Sequence, residues 1–378
     1  MLARVELHDE DLALTVYLAI DRLSDGWCAG GLRFAPSVTP AQLERLARLM
    51  TLKFGALGVR IGGAKAGIVG PRQGPAGDRI LLRAGELLEP LLRSWYMTGE
   101  DLGTRGEDIT RIYAHIGLDP IAIVRQRMAA GGVTFTAPPS LRPADLFSDQ
   151  FAGRVAGDGV VAAALAAAEA RGLRSESLDV SLQGFGTVGL SAARGFQSRG
   201  FRLVAVADSE GCVCAPRGLD IDDLARARNP WGVIDRRRLR QTVTHLRRED
   251  WCRVPADVLV PAAVEDAIGP EEARRVHAKV KLIVEAANGP VALEAETFLE
   301  GRGIAVVPDF VASAGSAAAF GLLMTGQAAT PDQAAAESSR RIASITRQVL
   351  EGPEAGARQR AIALASRTFA DPVAGRVA

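Results

Sequence analysis

Of the 45 lysine and arginine residues in this 378-residue chain, only four are lysine: Lys53, Lys65, Lys279 and Lys281. Arginine keeps its proton at any working pH, whereas burial can tune an ammonium to give and take one. Two of the four lie in residues 50–68, MTLKFGALGVRIGGAKAGI. Gly62 and Gly63 precede Lys65 and Gly67 follows it, so main chain can approach a ligand closely there. In a lysine-rich protein the pair would read as solvated surface charge. Against the arginine bias, the glycine frame marks Lys65 as an active-site lysine on a loop.

A second constellation is the glycine string Gly184-Phe185-Gly186-Thr187-Val188-Gly189. Residues 179–183 read as a short apolar strand running into it. A helix follows to about Arg199, and a second strand over 201–207 ends at Asp208. GxGxxG alone is weak evidence, but this one follows a strand, opens a helix and has an acid about 20 residues on. A dinucleotide site needs those parts: a tight turn, close approach of main chain to the pyrophosphate, a helix N-terminus and a carboxylate for the ribose hydroxyls. Asp208 would repel a 2′-phosphate, so NAD is the cofactor expected. Arg217 is the residue that could reach such a phosphate instead.

A third is Glu100-Asp101, at the end of an apolar stretch, 95–98, that reads as a strand. Both could be exposed turn carboxylates, or one could cap a helix near Glu107. Alternatively, an aspartate with a lysine supplies a base to move protons and a cation for developing oxyanion charge. Spacing leaves these readings open. The four cysteines (Cys28, Cys212, Cys214, Cys252) and four histidines (His8, His115, His245, His277) lack zinc-ligand spacing, so no metal is expected and a reducing compartment is.

The elements that must position these groups form an α/β pattern. Leu12, Leu14, Val16, Leu18 and Ile20 alternate as in a half-buried strand. Thr39 caps a helix with Pro40 first and Gln42 completing a capping box, which places Lys53 on its last turn. A leucine-rich helix spans 78–93, and an alanine-rich one 154–172. Short strands at 258–260, 282–284 and 305–307, alternating with helices, predict a parallel sheet. Helices over 332–350 and 355–370, broken at Gly352-Pro353, are expected to return to the first domain. Residues 138–153, rich in Pro, Ser and Asp, mark the boundary, giving domains at 1–145 and 146–320 and a C-terminal segment at 321–378.

Charged residues make up 24% and apolar ones 48%, with a net charge of +1, which gives no reason to expect nucleic acid or an acidic membrane as partner. The longest apolar run, 160–168, ends at Glu169, short of a membrane span. Arg4, Glu6, Asp9 and Glu10 stand where a signal peptide would be apolar, so a cytoplasmic protein is expected.

Gly30-Gly31-Leu32-Arg33, Met50-Thr51-x-Lys53, Gly62-Gly63-Ala64-Lys65 and Glu100-Asp101-Leu102-Gly103-Thr104 occur in that order. They are followed by Gly157-x-Gly159, the glycine string, Ala286-Ala287-Asn288-Gly289-Pro290 and Pro308-Asp309-Phe310. Over residues 26–320 this string resembles the amino-acid dehydrogenases acting on glutamate, leucine, phenylalanine and valine. The resemblance implies two domains around a cleft: an N-terminal α/β domain for substrate binding and oligomerisation, and a Rossmann-type dinucleotide domain. It implies that Lys53 grips the substrate α-carboxylate, Lys65 polarises the keto group and activates water, and Asp101 shuttles protons at the amino group. Gly31 would line the substrate site. Asn288 would stand between cofactor and substrate, with Ala286 and Ala287 beside the cofactor. The implied reaction is reversible oxidative deamination with NAD, by a homo-oligomer.

Glutamate-specific relatives hold the distal carboxylate with a lysine and a serine; Ala29 and Phe320 occupy the matching positions here. An apolar substrate side chain is therefore expected, although Arg33 or Arg60 could swing in to rescue an acidic one. Ala66, Ala156, Ser313 and Ser316 are further departures from the family pattern. Three alternatives remain: glutamate dehydrogenase, a catalytically silent nucleotide-binding relative, and a hydroxy-acid oxidoreductase. The last would want a catalytic histidine in a strand-end position, and a silent relative would be free to lose Lys65 or Asp101.

Overall fold

Alternating side chains near the N-terminus build a hairpin, β1 (Ala3–Asp9) against β2 (Leu14–Ile20), and that hairpin edges a five-stranded sheet. The computed structural model describes residues 1–72, 74, 76–130, 141–142, 146–174, 178–351 and 356–370. In β2, Leu14, Val16, Leu18 and Ile20 are buried as the alternation requires, while Leu12 sits in the turn, its amide bonded to Asp9 Oδ1. Strands β3 (Cys28–Ala35), β4 (Gly62–Val69) and β5 (Tyr96–Glu100) complete the order β1-β2-β4-β3-β5. β3 runs parallel to both β4 and β5, and β2 is antiparallel to β4.

At the start of helix α1 (Pro40–Ala56), Thr39 accepts from the Gln42 amide at 3.3 Å and Pro40 opens the helix, as the sequence predicts. Gln42 Oε1 does not reach back to the Thr39 amide, so the expected capping box is not completed. The helix lies directly on β4. A Cβ on Gly63 would stand 2.2 Å from the Thr51 amide nitrogen and 2.3 Å from the Ala47 carbonyl oxygen. This corrects the expected loop around Lys65. Gly62 and Gly63 open a strand, and Gly63 is bare because helix backbone occupies its Cβ position. Helices α2 (Gly77–Ser94), α3 (Gly106–His115) and α4 (Pro120–Ala130) follow.

In the next part, α5 (Asp149–Ala170) leads to a seven-stranded sheet. Its parallel strands are β6 (Asp179–Gln183), β7 (Arg202–Ala207), β10 (Val258–Pro261), β11 (Leu282–Val284) and β12 (Ala305–Val307). The antiparallel β8 (Cys212–Cys214) and β9 (Thr244–Leu246) extend one edge, giving β12-β11-β10-β6-β7-β8-β9. Between them run α6 (Thr187–Ser198), α7 (Ile221–Ala227), α8 (Pro270–Arg275) and α9 (Leu293–Gly301), and α10 (Asp309–Ala312) follows β12. β6 has β7 on one side and β10 on the other. Strand order reverses there, and in such sheets a dinucleotide binds at the carboxyl ends of the strands at that point.

The chain ends in α11 (Gly315–Met324), α12 (Pro331–Leu350) and α13 (Ala357–Ala370). Two compact units emerge: Met1–Ala152 with Ala317–Glu337 and Ile362–Ala378, and Gly153–Ser316 with Ser338–Ala361. The C-terminal helices are thus shared between the units, whereas the sequence suggested that all return to the first. The reason is local: Ser338 and Arg358 bond to the second unit, while Thr368 bonds to Gly55 in the first. The Gly352-Pro353 breaker and residues 138–140 and 143–145 of the 138–153 boundary lie outside the described residues. Among the described residues one helix, Gln150–Ala170, is long and apolar enough to cross a membrane, unlike the shorter run read from sequence; most of it is buried inside the protein.

Candidate active site

Strand pairing brings the first unit's charged groups together. β3 places Leu32 beside Ala66 of β4 and beside Glu100 of β5, so Arg33, Lys65 and Asp101 rise on one face around Gly31. Lys65 Nζ lies 2.8 Å from Asp101 Oδ1, and Arg33 Nε donates to Asp101 Oδ2 at 2.6 Å. All three side chains are at most 9% exposed. A Cβ on Gly31 would meet the Glu100 carbonyl oxygen at 2.5 Å, Asp101 Cβ at 2.9 Å and Lys65 Nζ at 3.0 Å. Only glycine leaves the pair intact.

Asp101 is pinned from its own backbone as well. Its amide donates to Thr104 Oγ1 at 3.0 Å, while the Thr104 hydroxyl lies 2.7 Å from the Leu32 carbonyl. Gly103 sits at φ +82, where a Cβ would strike the Phe34 carbonyl oxygen. Burial alone would raise the Asp101 pKa. The Lys65 ammonium and Arg33 guanidinium outweigh that and hold the carboxyl well below the usual range. Asp101 is therefore held ionised while both cations face it.

Lys53, on the last turn of α1, is buried, as is Ala29 on the same strand face as Gly31. Phe320 is half-buried on α11, whose next residue, Gly321, lies against Val59 and Ile61 ahead of β4. The arginines that could have rescued an acidic substrate are engaged: Arg33 with Asp101, and Arg60 with the Thr368 carbonyl at 3.1 Å. Arg33 was legible as part of the Gly-Gly-Leu-Arg string, but its role as partner of Asp101 was not. Lys279 shows that scarcity of lysine is no guide by itself, since it ties Asp179 to Asp257.

In the second unit the three glycines of the string each answer a different demand. Gly184 takes φ +95 at the turn, Gly186 has open space where a Cβ would be, and a Cβ on Gly189 would lie 2.0 Å from the Gly184 carbonyl oxygen. Phe185 is buried, and Thr187, Val188 and Gly189 open α6. A turn, an open approach and a close helix–strand contact fit a pyrophosphate at the helix N-terminus. Gly232, which sequence reading missed, takes φ +86 with its Cβ position 2.7 Å from the Gly186 nitrogen.

Asp208 departs from expectation. Its Oδ1 accepts from the amides of Glu210 and Gly211 and from Arg236 Nη2; its Oδ2 accepts from the Ile234 amide and Arg236 Nη1. Five bonds exceed the roughly four acceptor sites of a carboxylate, and the side chain is only 3% exposed. The acid expected to meet ribose hydroxyls braces its own loop instead. Sequence could not reveal this, because Arg236 lies 28 residues away.

Ala286 and Ala287 both donate their amides to the Pro261 carbonyl at 3.0 Å, which sets half-buried Asn288 at the end of β11. Among the described residues no group of side chains could hold a metal ion.

The sequence model described as Glu/Leu/Phe/Val dehydrogenase, dimerisation domain, matches residues 4–116, and that of Glutamate/Leucine/Phenylalanine/Valine dehydrogenase matches residues 151–370. Glutamate dehydrogenase of Thermotoga maritima is 32% identical over 304 residues, covering 80% of this chain and 70% of that protein. NAD-specific glutamate dehydrogenase of Staphylococcus aureus is 31% identical over the same coverage. The crystal structure of hetero-hexameric glutamate dehydrogenase from Thermus thermophilus, Leu-bound form, gives a TM-score of 0.75 at 28% identity, covering 97% of this chain and 87% of that one. These matches span both units and the motifs just described, and the chain belongs to the Glutamate/Leucine/Phenylalanine/Valine dehydrogenase family.

Proposed function

We propose that the chain catalyses reversible oxidative deamination: an L-amino acid, water and NAD give the 2-oxo acid, ammonium and NADH. The observation that carries this reading is the buried Lys65–Asp101 pair around a glycine that can be nothing else. Residues 1–145 bind substrate and support oligomerisation, 146–320 bind the dinucleotide, and 321–378 complete both units. Lys53 holds the substrate α-carboxylate. Lys65 activates the water that adds to the imine carbon and, in the reverse direction, polarises the keto group of the 2-oxo acid for attack by ammonia, while Asp101 takes and returns protons at the amino nitrogen. The two act together: when Lys65 turns its charge to substrate, Asp101 loses an opposing cation and its proton affinity rises. The bound nicotinamide supplies the hydride acceptor. The main chain at Gly184, Gly186 and Gly189 and the N-terminus of α6 would hold its pyrophosphate, with Asn288 reaching the bound ligands.

Support for NAD comes from the NAD-specific relatives and not from Asp208, whose oxygens are engaged. The match to a dimerisation domain supports a homo-oligomer, and four free thiols accord with a cytoplasmic setting. Retention of Lys53, Lys65 and Asp101 favours an active enzyme over a silent relative.

The substrate side chain is apolar in this reading. A carboxylate beside Ala29 and Phe320 would be desolvated without a donor, costing several kcal/mol, whereas an apolar group would gain about 25 cal/mol per Å² buried. The second reading, glutamate, is favoured by the names of the relatives. Purified protein incubated with NAD and L-amino acids should release ammonium and NADH in equal amounts. Failure to form either with any L-amino acid would refute the assignment.

A further inference from the structure

Four buried ionisable side chains in the second unit have no place in the chemistry above. Glu285 and Asp309 are fully buried, Glu296 is 5% exposed and Arg358 is 7% exposed. Arg358 reaches all three acids: Nη2 to Glu285 Oε2 at 2.7 Å, Nε to Glu296 Oε2 at 2.5 Å and Nη1 to Asp309 Oδ1 at 3.2 Å. Its guanidinium also lies 5.7 Å from the centre of the buried Phe310 ring. The Asp309 amide donates to Glu285 Oε2 at 2.6 Å, closing the cluster.

Such a cluster is a poor way to fill a core, since apolar residues of similar size are often as stabilising or more so. Three carboxyl groups also share one guanidinium, and burial with the shortage of positive charge favours the protonated form of Glu285. Glu285 Oε1 is buried and makes no hydrogen bond among the described residues, which is unfavourable. The arrangement therefore needs a reason other than stability.

The reason lies in a bond that leads outward. Asp309 Oδ2 accepts from the amide of Gly289 at 3.0 Å, and Gly289 is the residue after Asn288. Gly289 stands at φ +53 and its carbonyl accepts from the Asp266 amide at 3.0 Å. On the other flank the Ala286 and Ala287 amides share the Pro261 carbonyl. Asn288 is thus clamped before and after, and the clamp after it is anchored in the buried cluster.

We propose that Arg358 is a positioning residue for the reaction: it orients Asp309, Asp309 holds the Gly289 amide, and that amide fixes the angle at which Asn288 is presented. The inference rests on the assignment of Asn288 to the bound ligands made above. It gives a helix more than 60 residues further along the chain a role in catalysis without contact with substrate.

A double-mutant cycle tests it. Arg358→Lys keeps the charge but cannot reach three acids at once. A misplacement of the order of 1 Å can cost about 10²-fold, so kcat should fall roughly ten- to a hundredfold with the melting temperature recorded alongside. In an Asn288→Ala background the same change should cost less than about twofold more, because coupled residues are not additive. Asp309→Asn offers the same cycle should Arg358→Lys fail to fold. Independent, additive losses at Arg358 or Asp309 and Asn288 would overturn the positioning role while leaving the reading of Asn288 in place. An Asn288→Ala enzyme with parental kcat would instead overturn that reading, and the inference with it.

Discussion

Lys65 on β4 and Asp101, just past the end of β5, meet at 2.8 Å across the bare Cα of Gly31 on β3. Parallel pairing of β3 with both β4 and β5 sets that distance, so sheet register directly determines the geometry of the pair. Removing either charge should abolish turnover without disturbing the second unit. Lys65→Ala or Asp101→Asn is expected to lower kcat by about 10²–10⁴-fold. NADH binding, followed by its fluorescence, should stay near parental. A variant at either position that keeps parental kcat contradicts the mechanism.

Gly31→Ala tests the register argument with a single methyl group. Its Cβ would press on the Glu100 carbonyl oxygen at 2.5 Å and on Lys65 Nζ at 3.0 Å, so the pair must shift. A loss of about 10²-fold in kcat is expected, with the circular dichroism spectrum unchanged. Full activity would show that the pair tolerates displacement.

Asp208 should behave as a structural acid. Truncation to Ala leaves the half-buried Arg236 without its bidentate partner, which for a buried pair costs about 3–5 kcal/mol. The expected result for Asp208→Ala is a lower melting temperature with the ratio of kcat/KM for NAD over NADP little changed. A swing toward NADP with unchanged stability would restore the ribose role read from sequence.

The contrast between Asp208 and Thr39 shows what was legible in the sequence. Thr39, Pro40 and the strand over 179–183 depend on neighbours within a few residues, and all form as read. The glycine string was legible for the same reason. Gly62 and Gly63 misled, because a glycine pair signals a turn locally while here helix α1 lies over Gly63. Arg236 meets Asp208, and Arg358 meets Glu285, only after long stretches of chain have folded. No spacing rule reports such partners.

Glu285 makes stability fall as pH rises. Burial pushes its pKa up to about 8; Arg358 opposes this, while Asp309 and Glu296 reinforce it. The folded protein therefore holds a proton that the unfolded chain releases. Its contribution is complete below the ordinary glutamate pKa and is lost progressively as pH climbs toward 8. Glu285→Gln should flatten the decline in melting temperature between about pH 5 and pH 8. An unchanged slope would show that Glu285 is ionised throughout. Asp101 has the opposite sign, its stabilisation being lost as pH falls below the ordinary aspartate range.

The most direct measurement is NADH formation across a panel of L-amino acids, comparing kcat/KM for leucine, valine, phenylalanine, tryptophan and glutamate. Ala29 and Phe320 predict that the apolar substrates are oxidised far better than glutamate, and that Lys65→Ala loses activity on all of them. A kcat/KM for glutamate above that for every apolar substrate would contradict the pocket, and no NADH from any amino acid would contradict the enzyme.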